Sequence, residues 1–193
     1  MPDPFYSGLP NPQPVYLVNP PGGLTLYIGT PAAGVTAVEY GDGRIHQTEL
    51  AINSALPAIA GGANLGVGKL LYTFPAGVQV IEGAYMSIGI TQTQGNINAD
   101  TPTVGIGTVI ASGAIANLGG TATFEDIIEQ QVAANCTGTA TIIGMPPPGG
   151  VPIYTNVSDS KSVYFNVANG WSAGGDTAAK ITGTVTILWR TLA

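Results

Sequence analysis

From Leu24 onward the chain alternates apolar and polar residues with a period of two, punctuated by Gly, Pro, Asn and Asp. That period sends successive side chains to opposite faces of an extended backbone, so it predicts many short strands, each with one face turned to a core. The clearest is 180–190, where Ile181, Val185, Ile187 and Trp189 share one face and Thr182, Thr184, Thr186 and Arg190 the other. The strand predicted at 161–167 sets Val163, Phe165 and Val167 against Ser162, Tyr164 and Asn166. In 78–91, Val80, Ala84, Met86, Ile88 and Ile90 line one side, with Glu82 an anomaly on that same side. Further strands are predicted at 24–28, 35–40, 44–53, 69–74, 104–111 and 137–143. Turn signals separate them, among them Gly41-Asp42-Gly43, Gly61-Gly62, Pro75-Ala76-Gly77 and Gly119-Gly120. The expected fold is all-β, a β-sandwich or jelly roll of about 8–10 strands.

Two stretches depart from this pattern. Residues 123–131 predict one short helix, with Thr123 as its cap, Asp126 reaching back, and Glu125, Asp126 and Glu129 complementing the helix dipole. Residues 1–23 hold seven prolines, which forbids helix and most ladder hydrogen bonding. They form an extended N-terminal arm that could reach roughly 70 Å in polyproline II geometry. Its apolar residues exceed what a solvated tail needs, so Phe5, Tyr6, Val15 and Tyr16 are expected to bind a partner, the plain alternative being a frayed terminus. No repeat divides the remainder, and the triple proline at 146–148 reads as a loop, so 24–193 is expected to be a single sandwich domain.

Composition changes the picture in one respect: only 8% of the 193 residues are charged, five basic and eleven acidic, against about a quarter in an ordinary domain. Neutral polar residues or other chains must cover the surface, and a mean hydropathy of +0.29 favours some of the latter. A homo-oligomer is therefore expected. Arg44, Lys69, Lys161, Lys180 and Arg190 are too few and too scattered to neutralise phosphates, so neither nucleic acid nor an anionic membrane is an expected partner. No apolar run approaches the ~18 residues of a membrane span. The opening Met1-Pro2-Asp3-Pro4-Phe5-Tyr6 lacks the basic and apolar regions of an export signal, so use without export is expected.

Candidate chemistry is sparse. His46 is the sole histidine, on a face with Thr48, Leu50 and Ile52, and no nucleophile elbow accompanies it. Cys136 is the sole cysteine and reads as a buried structural thiol, which leaves no disulfide framework. Glu125, Asp126 and Glu129 could serve glycoside hydrolysis or a hard cation, but a helix start accounts for them. One His and one Cys cannot fill a zinc site within a subunit. The run from Gly62 to Leu70 fails as a phosphate loop, because its glycine spacing is wrong and Leu70 replaces the required Ser or Thr. Gly105 and Gly107 read as strand glycines for close packing or a bulge. Trp171 and the tyrosines could form a sugar platform, and core packing explains them equally well. The expectation is no enzyme, no catalytic residues, no metal and no cofactor.

The blocks VTAVEYGDG at 35–43, HQT at 46–48, LPAIAGGANL at 56–65, GKLLYTFPAG at 68–77, NADTPTVGIGT at 98–108 and TATFED at 121–126 together resemble a family of virion structural proteins of tailed bacteriophages. The likeness spans 35–191 and leaves out the arm. Proteins of this kind are commonly β-sandwiches that sit on the capsid lattice as cement or decoration, often as trimers. The resemblance therefore implies a capsid decoration protein that binds the outside of a phage capsid and stabilises it. Its implied partners are itself, as a trimer, and the major capsid protein; its implied place is the virion, assembled in the host cytoplasm. The alternatives are another virion component (tail, fibre or neck), or a carbohydrate-binding adhesion module.

Overall fold

The structure, a computed structural model, describes residues 29–41, 45–144, 153–154, 161–172 and 174–192. The arm, with Phe5, Tyr6, Val15 and Tyr16, the strand predicted at 24–28 and the proline loop lie outside the described residues. The strands are β1 (Thr30–Pro31), β2 (Val35–Gly41), β3 (Ile45–Ala55), β4 (Asn64–Thr73), β5 (Val78–Thr91), β6 (Thr103–Gly107), β7 (Ser112–Gly113), β8 (Ile128–Val132), β9 (Thr137–Gly144), β10 (Ile153–Tyr154), β11 (Ser162–Gly170) and β12 (Lys180–Leu192).

They form two antiparallel sheets packed face to face, a β-sandwich. The first runs β1-β4-β11-β6-β8 with β7 also on β4; the second runs β10-β5-β12-β3-β2 with β9 also on β5. β12 is the spine of the second sheet, pairing along its length with both β3 and β5. As its alternation predicts, Ile181, Val185, Ile187 and Trp189 are fully buried. They meet Leu71, Tyr72, Phe74, Val163, Phe165 and Val167, which come from the first sheet and the turn after it. Burial of such side chains, at about 1.5–3 kcal/mol each, supplies the main drive to fold.

The Glu82 anomaly resolves as a register shift. Leu188 pairs with Gly83 and Trp189 with Ile81, which leaves Glu82 as the extra residue of a bulge. Ile81 thereby enters the core. Glu82 emerges at the surface and meets Arg190, Oε1 to Nε at 2.7 Å.

The helix predicted over 123–131 is not formed. The segment makes 3-10 turns at Leu118–Gly120 and Ala122–Phe124, then enters strand β8 against β6. Tertiary demands override local propensity. Ile127 donates its N–H to the Ile106 carbonyl at 3.0 Å and Ile128 pairs with Ile106, which draws the segment onto β6. The Asp126 carboxylate does not cap: Oδ1 accepts from Thr108 N–H at 2.8 Å and Oδ2 from the Thr108 hydroxyl at 2.6 Å.

Residues 108–127 fold back as a flap over the outer face of the first sheet. There Ala111, Leu118 and Ala168 make a second small core with Ile115 and Phe124 against it. Asn166, on the nominally polar face of β11, is buried at its centre. Its Oδ1 accepts from Ala111 N–H at 2.8 Å, and its Nδ2 donates to the carbonyls of Val109 and Phe124 at 2.9 and 2.8 Å. Glycine lets the flap sit this close: a Cβ at Gly107 would fall 2.3 Å from the Phe124 carbonyl carbon, and one at Gly68 would fall 2.4 Å from Ile110. At Gly105 the β6–β8 register also shifts, so the two glycines of β6 serve a bulge and a close contact.

Candidate functional site

The densest set of polar side chains lies between the sheets at one end of the sandwich. Antiparallel pairing sets Glu39 of β2 opposite Thr48 of β3, and His46 of β3 opposite Trp189 of β12. All four side chains point inward and are buried. Thr48 Oγ1 donates to Glu39 Oε2 at 2.7 Å and accepts from Trp189 Nε1 at 2.8 Å. His46 Nδ1 lies 2.9 Å from Glu39 Oε1. Glu39 Oε1 accepts no hydrogen bond from the described residues, so this is a close polar contact. The imidazole stacks on the Trp189 indole with centroids 4.0 Å apart, and Phe74 meets the same indole edge-on at 5.1 Å.

Tyr72 closes the cluster from the facing sheet. Its hydroxyl accepts the Gly29 N–H at 2.8 Å. Burial, and secondarily the charge of Glu39, raises its ionisation well above the ordinary tyrosine range, so the phenol stays protonated. The hydroxyl of Thr48 is engaged both as donor and as acceptor and is fully buried. His46 Nε2 is buried and has no hydrogen-bond partner among the described residues. The cluster thus pins β2, β3, β12 and β4 together.

At the opposite end Asp176, 1% exposed, plays a similar part. Its Oδ2 accepts from the N–H groups of Thr93 and Gln94 at 2.6 and 3.0 Å, and its Oδ1 from the Thr93 hydroxyl and Ala178 N–H at 2.6 and 2.9 Å. Its backbone bridges Ile59. Burial pushes this carboxyl upward, but the bonds from Thr93, Ala178 and Gln94 prevail and hold it below the usual carboxylate range. Three loops are tied by one residue, through its side chain and its backbone together.

The remaining candidates are placed as follows. Cys136 is fully buried with its thiol toward the Asp100 carbonyl, and burial, then the charges of Asp100 and Asp176, push it up to about 12. Glu125 Oε2 accepts from Gln130 N–H at 2.7 Å, so two members of the acidic trio serve the flap. Trp171 is buried and donates to the Leu65 carbonyl at 3.2 Å, which removes it from any exposed sugar platform. The segment from Gly62 to Leu70 leads into β4 and is strand from Asn64. Among the described residues no group of three or more His, Cys, Asp or Glu is placed to hold a metal ion, and no helix is long and apolar enough to cross a membrane.

What sequence reasoning passed over is the outer face of the second sheet. Val38, Tyr85, Leu188 and Ile142 are exposed there, at 37%, 43%, 43% and 60%. They come from β2, β5, β12 and β9, and the rows between them are filled by Thr184, Thr186, Ser87 and Gln47, with Glu49 in the Val38–Tyr85 row. Each is the polar-phase position of its strand, so an apolar residue out of phase was the available signal. Glu39, an acid in the apolar phase of β2, was the corresponding signal for the buried cluster.

Comparison with protein-family models and with curated proteins gives no match. Among solved structures the chain is similar to an arabinose-bound MgGH51 α-L-arabinofuranosidase, at 14% identity and a TM-score of 0.36. The match covers 84% of this chain and 23% of that one.

Proposed function

We infer that the protein is a structural component of a tailed-phage virion that docks on the outside of the capsid and stabilises it as a decoration or cement protein. One observation supports this beyond the family resemblance: the outer face of the second sheet exposes Val38, Tyr85, Leu188 and Ile142 among neutral Thr, Ser and Gln, with its charges confined to Glu49, Lys180 and the Glu82–Arg190 pair, and is suited to burial against another protein surface. The carboxylates support it as well, because buried Glu39 and Asp176 and half-buried Asp126 each accept from the protein's own donors. On this reading apolar burial and contacts at sheet edges supply the affinity, since sixteen charges cannot build ion-pair networks.

Cryo-electron microscopy of virions bearing the protein tests the assignment. Density of this sandwich on the capsid lattice is the expected result, and density confined to tail, fibre or neck overturns it. Deleting residues 1–23 tests the arm: the truncated protein should bind shells more weakly than the full chain, and equal binding would remove Phe5, Tyr6, Val15 and Tyr16 from the interface.

A further inference from the structure

The geometry points to β9 as a site of edge-to-edge pairing with a second copy of this chain, the two β9 strands running antiparallel about a two-fold axis and joining the second sheets of both copies into one. β9 is eight residues long and pairs with β5 alone among the described strands. Its sequence, TGTATIIG, has no charge and no proline. Edge strands of soluble proteins are commonly guarded by a charge or a proline, besides bulges and shortness, and β9 has neither of the first two, its one irregularity lying at the Gly89–Thr91 end of its pairing with β5. The remaining edges conform better: β2 carries Glu39 and β8 carries Glu129. β6 and β11 are uncharged too, but both lie inside the first sheet. Among the described strands longer than two residues, β9 alone is both uncharged and at an edge.

Charge selects the occupant. A chain of net charge −6 repels its own copies, so a contact between two of them is least opposed where neither presents an acid. The stretch 133–144 has none, and its neighbours on the outer face are Ser87 and Tyr85 of β5. An antiparallel pair of identical strands is self-complementary, as a two-fold contact must be. With the axis at Thr141, Ile142 of each copy sits opposite Ala140 of the other. Ile142 is 60% exposed, and this pairing covers it. The contact is independent of the capsid reading.

Sedimentation velocity on the full chain tests the pairing, at concentrations rising to about 200 µM, because a strand-edge contact below ~1,200 Å² is expected to be weak. The expected result is a dimer whose dissociation constant rises at least about tenfold in Ile142→Lys and in Ala140→Lys. Each lysine lowers the net negative charge and so relieves overall repulsion; weakening must therefore come from the edge. Both positions are exposed, and circular dichroism checks that the fold survives. Hydrogen exchange supplies a second readout in the unmodified protein, as β9 amides should gain protection with concentration. A monomer throughout, a dimer indifferent to both lysines, or a threefold assembly indifferent to them overturns the pairing.

Discussion

The Trp189 indole and the His46 imidazole lie nearly parallel, 10° between their planes, directly across the β3–β12 ladder. The stack places His46 beside Glu39 and lets the indole N–H reach Thr48, so three polar residues sit in an apolar interior without reaching water.

Breaking that arrangement from one side should cost more than removing it. Glu39→Leu leaves His46 and Thr48 facing an apolar group, and His46→Leu takes the imidazole from beside a buried carboxylate; each should destabilise by about 3–5 kcal/mol. The double variant should lose at least ~2 kcal/mol less than the sum of the singles. Urea denaturation of all four proteins measures the coupling, and additive losses would contradict it.

Asp176 and Asp126 should answer in opposite ways to removal of their charge. Asp176→Asn sets an amide NH₂ against N–H donors and should cost about 2–3 kcal/mol at pH 7. Asp126→Asn can keep both contacts with Thr108, because the hydroxyl can accept as well as donate, and should leave stability unchanged or raise it by up to ~1 kcal/mol.

Their pH dependence is likewise opposed. Asp176 is held low in the folded state, so its contribution is complete above the unfolded carboxylate value of about 3.9 and drains away as pH falls through the lower folded value. Asp126 is raised, chiefly by burial, so its ionisation costs stability and acid relieves that cost. Denaturation midpoints taken between about pH 5 and pH 2 should fall less steeply in Asp176→Asn than in the parent, and more steeply in Asp126→Asn.

The flap should loosen as a unit. Asn166→Ala removes three buried hydrogen bonds and should cost about 2–4 kcal/mol. Gly107→Ala drives a methyl group into the Phe124 backbone and should cost at least ~2 kcal/mol. In both, hydrogen exchange should accelerate at Val109 and Ala111 before it changes in β12.

Cys136 should be silent until the protein unfolds. With its thiol pushed up to about 12 and no exposed surface, it should react with a thiol-specific disulfide reagent at pH 8 only as fast as the protein opens, and at once in denaturant. Rapid labelling of native protein would contradict the placement.

The strands were legible where one period governs both faces. In β12 every apolar-phase residue from Ile181 to Trp189 except Gly183 is buried, and β2 and β9 begin within a residue or two of their predicted starts. Legibility failed where a residue's role is set by something distant in sequence. Asn166 reads as surface because only the flap, folding back from more than forty positions away, makes its site interior. Residues 123–131 have helical acids and a capping threonine, yet Thr108 and β6 claim Asp126 and Ile127. His46 shares its inward face with Thr48, Leu50 and Ile52, as the alternation of β3 predicts; that Glu39 would join it depended on the hairpin register of β2 and β3.

The flap has one more consequence. By spending the first sheet's outer surface on its own residues 108–127, the chain gives itself a back and a front. Two copies joined edge to edge through β9 about a two-fold axis must both turn the flap the same way, so such a pair has one flapped side and one open-sheet side.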